Sequence, residues 1–115
     1  MEKIFKEHFN FNYLIDAAYK IRDLDECKRL CKDDLSILNE FLSAWKKRFG
    51  TNSPLPQIPS ITRLAIIYEN EGLYNEAIAL CDLGLSLNLS DGTKGGYLAR
   101  KTKLNKKLLM QSPTI

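Results

Sequence analysis

The sequence predicts an all-α fold of about five helices in one domain. Three observations carry that expectation. Apolar residues recur at three- and four-residue spacing through most of the 115 positions. The prolines stand at 54, 56, 59 and 113, so the long segments flanking the 54–59 cluster are free of breakers. Turn residues at Gly50, Gly72 and Asn88 to Gly92 mark off the periodic stretches.

The first stretch, 11–22, sets Phe11, Leu14, Ile15, Ala18 and Ile21 along one side, with Asn10 or Asn12 as a possible cap. The strongest periodicity runs over 24–48. There Cys27, Leu30, Cys31, Leu35, Leu38, Phe41, Leu42 and Trp45 form a stripe, with charged residues opposite. Lys46, Lys47 and Arg48 complement the dipole of the last turn, and Gly50 stops the helix. Residues 1–50 thus read as an N-terminal helical hairpin. Residues 51–58, with two prolines, form a connector too short to separate independent domains. A second, shorter hairpin occupies 59–91, with Pro59 suited to a first helical position. A capping helix over 92–110 carries Tyr97, Leu98, Lys101, Leu104 and Leu108 on one side. The tail from Gln111 to Ile115 reads as loose.

Composition narrows the function. An apolar fraction of 44% and a charged fraction of 27% are those of an ordinary soluble globular protein. No apolar run approaches the roughly 18–20 residues that cross a bilayer. Residues 1–10 lack the apolar core of a signal peptide, so the expected compartment is the cytoplasm. Three cysteines and one histidine make neither a disulfide framework nor a metal site. Charge is uneven. Residues 51–90 hold one basic and four acidic side chains, whereas residues 91–115 hold six basic and one acidic.

The most informative segment is 58–91. It places Ile61, Leu64, Ala65, Tyr68, Gly72, Tyr74, Ala77, Cys81, Gly84 and Leu89 at set intervals. This pattern resembles a tetratricopeptide repeat of about 34 residues. Ala65 and Ala77 suit close helix approach, and Gly72 suits the tight turn. Leu89 departs from the terminal proline of the pattern, and Cys81 and Gly84 are small for it. Ala17, Ala18 and Ile21 echo a first repeat helix, but no glycine turn follows them. One repeat cannot bury its own faces, so the flanking helices must stack on it.

The resemblance implies a concave groove lined by the first helix of each hairpin. Here those positions are Thr62, Arg63, Ile66, Glu69 and Asn70, extended by Tyr13, Asp16 and Lys20 on helix 11–22. The implied ligand is a peptide or helix of another protein, and self-association would extend the stack.

Other chemistry is thin. Gly92, Lys94, Gly95 and Gly96 are in the wrong order for a phosphate loop. Asp16, Tyr19, Arg22 and Asp23 read as a polar tie between helices rather than a catalytic cluster. His8 falls in a frayed first turn without a carboxylate partner. Lys94, Arg100, Lys101, Lys103 and Lys107 form a basic patch that suits an acidic partner or nucleic acid, with little aromatic interleaving. No set of residues assembles a catalytic site, and none implies a cofactor. The expected function is protein binding without catalysis; the alternative is association with nucleic acid through the basic last helix.

The cysteines generate the first testable expectation. A Cys27→Ala, Cys31→Ala, Cys81→Ala triple variant should fold to the same helical content by circular dichroism. It should lose stability through lost packing, on the order of 1 kcal/mol per site. A stoichiometric metal in the native protein would overturn this.

Overall fold

A computed structural model describes residues 2–111; Met1 and residues 112–115 lie outside it, and with them most of the tail expected to be loose. The described residues form six helices: α1 (Glu2–Lys20), α2 (Leu24–Ser36), α3 (Leu38–Phe49), α4 (Pro59–Asn70), α5 (Tyr74–Ser86) and α6 (Gly96–Gln111). No strand occurs among them. None of these helices is long and apolar enough to cross a membrane. The molecule is elongated, 55 × 32 × 23 Å.

The helices stack as successive antiparallel pairs. α1 pairs with α2 and α4 with α5, while α2 also packs on α4, and α6 packs on α5. The core follows the apolar stripes, with Ile15, Cys27, Cys31, Phe41, Ile61, Ala77, Cys81 and Leu104 fully covered. Where α5 meets α6, Gly84 lies against the Tyr97 ring, and a Cβ there would sit 2.5 Å from ring carbons. A small residue is therefore required, which explains why Gly84 is smaller than the repeat pattern wants.

Both hairpin turns close in the same way. After α4, Gly72 takes φ 78°, and the Leu73 amide donates to the Tyr68 carbonyl at 2.8 Å. After α1, Arg22 takes φ 62°, and the Asp23 amide donates to the Ala18 carbonyl at 3.0 Å. These are left-handed helix stops satisfied by six-to-one bonds. The first half therefore has the turn that glycine signals elsewhere, carried by an arginine. Asp23 then caps α2 by accepting from the Glu26 amide.

Several expectations need correction. α1 begins at Glu2 instead of residue 11, so Asn10 and Asn12 lie inside the helix and cap nothing. The stretch 24–48 is two helices, broken at Ile37, which raises the helix count from five to six. The Ile37 amide bonds the Asp34 carbonyl three residues back, and the chain turns there. That break lets Phe41 and Trp45 reach Phe5, at ring-centroid distances of 5.7 and 5.9 Å. The last helix starts at Gly96, because Asp91 binds the amide and hydroxyl of Thr93 in a turn that precedes it. Leu98, expected on the packed side, is exposed.

The largest departure concerns His8. It lies well inside α1, is fully buried, and places Nδ1 2.7 Å from Oδ1 of the equally buried Asp34 on α2. Its ring lies against Phe41, with centroids 3.9 Å apart. Each partner satisfies the other at one atom. His8 Nε2 and the second Asp34 oxygen have no hydrogen-bond partner among the described residues.

Removing one member leaves a buried polar group without its partner. His8→Ala should cost roughly 2–5 kcal/mol in urea denaturation. A His8→Leu, Asp34→Leu double variant should recover most of the loss. Equal losses in the single and double variants would show that the pair is not the cause.

Candidate functional site

The pairing order sets α1, α4 and α6 in succession along one side of the stack, with α2 and α5 on the other. α4 is thus covered by α2 and α5 on two sides. Ile61, Leu64, Ala65 and Ile67 are buried by those contacts. The remaining strip of α4 carries Thr62, Arg63, Ile66, Glu69 and Asn70, as the helical repeat requires.

Two adjoining clefts open along this strip. The first, about 290 Å³, lies between α1, the start of α4 and the turn before α6. Asp16, Thr62, Arg63 and Asp91 line it, with Gln57 and Ser90 at its margin. Arg63 is held over the Tyr19 ring, 4.1 Å from its centroid, with Nη2 3.7 Å from Asp16. The Thr62 hydroxyl and the Tyr97 hydroxyl are 2.7 Å apart, joining α4 to α6. The second cleft, about 380 Å³, is lined by Glu69, Thr93, Lys94, Arg100 and Lys103. Glu69 accepts from Lys107 at 2.5 Å and lies 3.9 Å from Arg100.

Ile66 stands one helical turn from Thr62 and Arg63 and one turn from Glu69 and Asn70. It is half-buried yet does not pack into the core cluster. Neither Ile66 nor the exposed Asn70 lines either cleft. Of the α1 residues, Asp16 faces the first cleft, Lys20 pairs with Asp16 at 3.0 Å, and Tyr13 is exposed outside the cleft lining. The polar tie expected at 16–23 is realised across helices by Arg63 with Asp16 and Tyr19. Arg22 covers Tyr19 from its own turn, at 5.2 Å.

The basic patch does not form one free face. Arg100 donates to Asp91 at 2.8 Å, Lys107 is held by Glu69, and Lys101 reaches Asp82 on α5 at 2.7 Å. Lys94 and Lys103 sit beside Arg100 in the second cleft. The Lys107 ammonium is held above its ordinary value by its hydrogen bond to Glu69.

Sequence reading missed Asp91, whose side chain is fully covered. Burial works to raise its carboxyl, but the Thr93 hydroxyl and amide and the Arg100 guanidinium outweigh that and hold it below the ordinary range. The Asp-x-Thr spacing signals the local turn; nothing in the sequence signals the arginine nine residues on. Periodicity places Tyr97 on one side of the last helix, and its hydroxyl bridge to Thr62 has no local signature.

The thiols offer no nucleophile. Cys27, Cys31 and Cys81 are all free and buried. Burial raises all three thiol pKa values, that of Cys81 to about 11, so the thiolate is scarce at neutral pH. Among the described residues, no group of three or more histidine, cysteine or acidic side chains is placed to hold a metal. A wider cleft of about 530 Å³ lies between α1 and α3, where Lys3, Glu7, Glu40 and Lys47 alternate in sign. Its lining points to no single ligand charge.

The depressed Asp91 carboxyl makes a pH prediction. Its contribution to stability is complete above the unfolded aspartate value of about 3.9. It is lost as pH falls through the lower folded value. Asp91→Asn should therefore be less stable than the parent at pH 7, and the gap should close below about pH 4. Urea midpoints measured from pH 7 to pH 3 check this; a gap constant with pH would exclude the carboxylate as its source.

No family model matches the chain, and no solved structure matches it. An uncharacterised protein of Aquifex aeolicus (strain VF5) is 31% identical over 78 residues, which is 68% of this chain and 37% of that protein. The chain therefore spans little more than a third of the length of that relative.

Proposed function

We propose that this chain is a tetratricopeptide-like protein-binding module without catalytic activity, and that the α1–α4–α6 side receives a peptide segment or helix of another protein. The observation that carries the reading is Ile66. An apolar side chain that the core does not use stands on α4 between Arg63, which lines the first cleft, and Glu69, which lines the second, while itself lining neither. Recognition surfaces commonly set an apolar anchor within such a polar rim. The rim is preorganised. Arg63 is stacked on Tyr19, and Arg100 is fixed by Asp91, so a partner orders few side chains on docking.

The shared turn geometry of the two hairpins supports the kinship with tetratricopeptide repeats. Arg22 and Gly72 hold the same left-handed position, and each is followed by the same backbone closure. A cytoplasmic location completes the reading, since free thiols are the norm in that compartment. The basic last helix is the weaker alternative. Arg100, Lys101 and Lys107 are all engaged by carboxylates of this chain, which reduces the charge available to a phosphate backbone.

The test is a pull-down from native lysate with the intact chain and two variants. Ile66→Asp should abolish partner capture while leaving helicity by circular dichroism intact. Charge reversal at Arg100, Lys103 and Lys107 should be the damaging change if the basic helix is the functional surface. Unfolding by Ile66→Asp would show that the position is core and would remove the anchor from the argument.

A further inference from the structure

Most of the charged side chains that line the two clefts are matched within the chain. In the first cleft Asp16 lies between Lys20 and Arg63, and Asp91 holds Arg100. In the second, Glu69 accepts from Lys107 and lies near Arg100. Lys94 and Lys103 are the exceptions. Both line the second cleft, both are exposed, and neither pairs with a carboxylate among the described residues. The carboxylates beside that cleft, Glu69 and Asp91, expose 21% and 0% of their side chains and are already held by Lys107 and Arg100. Beyond Asp91 the chain contains no acidic residue, so α6 has none of its own to offer. The lining is mixed in sign, but the charge it leaves unmatched is positive, and it comes from two like charges sharing one cleft of about 380 Å³.

On the reading that the α1–α4–α6 side receives a partner segment, we infer that this segment carries a side-chain carboxylate close to its apolar anchor, and that Lys94 and Lys103 receive it. Charge complementarity selects the acid. A carboxylate between the two lysines relieves their repulsion and supplies the partner each lacks. Position ties it to the anchor. Glu69, on the wall of the second cleft, stands one helical turn from Ile66, so a segment seated on Ile66 reaches the lysines within a turn. A nucleic acid fits this cleft less well. Tyr97, the aromatic residue of α6, is buried and offers no stacking face, and Arg100, Lys101 and Lys107 are held by acids of the chain.

The test is selection of a random peptide library, displayed on phage, against the full chain, with the selected peptides then measured by fluorescence anisotropy. Peptides selected on the parent should carry aspartate or glutamate beside an apolar residue. A Lys94→Glu, Lys103→Glu variant should bind them at least roughly tenfold more weakly, since attraction at two exposed positions becomes repulsion. It leaves Arg100 and Lys107 with their acids, so helicity by circular dichroism should not change. A Lys46→Glu, Lys47→Glu variant makes the same change in net charge on α3 and should bind like the parent. Ile66→Asp should weaken every selected peptide yet keep the preference for acid. The two readings fail separately. Selected peptides without acidic enrichment overturn the inference and leave the Ile66 groove intact. So does a Lys94 and Lys103 variant that binds like the parent, or an α3 variant that loses as much. If Ile66→Asp is silent while the lysine variant is damaged, the anchor fails and the lysine contact stands. A selection that returns no peptide overturns both.

Discussion

Helix α4 is packed on α2 on one side and on α5 on the other, and it also touches α1. That double burial is the constraint from which the rest follows. It requires apolar or small side chains at Ile61, Leu64, Ala65 and Ile67, on more than one face of a 12-residue helix. It leaves a single strip free, at Thr62, Arg63, Ile66, Glu69 and Asn70. The same strip bridges to both neighbours on its side, through Arg63 to α1 and through Thr62 and Glu69 to α6. The helix that orders the stack is therefore also the helix that builds the clefts.

The two ends of the stack are secured by different means. At the N-terminal end, α1 is fastened by the buried His8–Asp34 contact and by the rings of Phe5, Phe41, Trp45 and Phe49. Trp45 extends that cluster to the connector by donating to the Pro54 carbonyl at 3.2 Å. At the C-terminal end, α6 is fastened by the fit of Tyr97 against Gly84 and by ion pairs at its rim. Polar groups buried in the first case depend on each other for their hydrogen bonds. Those in the second, the covered Asp91 carboxylate apart, remain partly solvated and are individually weaker.

The charge on α6 illustrates how a fold changes what a composition means. Six basic residues within 91–115 describe an electropositive tail when read along the chain. Folded, Asp82 on α5, Glu69 on α4 and Asp91 in the preceding turn draw Lys101, Lys107 and Arg100 into separate contacts. What remains of the patch is a cleft in which Lys94 and Lys103 stand near Glu69. Its character is mixed rather than cationic.

The sequence by itself determined the all-helical class, the turn at Gly72, the burial of Ala65 and Ala77, and which strip of α4 the core leaves uncovered. All of these depend on neighbours within one or two helical turns, where spacing along the chain fixes spacing in three dimensions. Tertiary structure alone decided the break at Ile37, because the aromatic residues of α3 must bend back to reach α1. It alone placed an arginine in the left-handed turn at position 22, where stacking of the hairpin outweighs the preference for glycine. It alone brought His8 to Asp34, 26 residues away, and Arg100 to both Asp91 and Glu69. Such partners have no periodic signature. Two polar side chains meet in the core only after the helices that carry them have been set side by side, by apolar burial that says nothing about which polar groups will be caught between them.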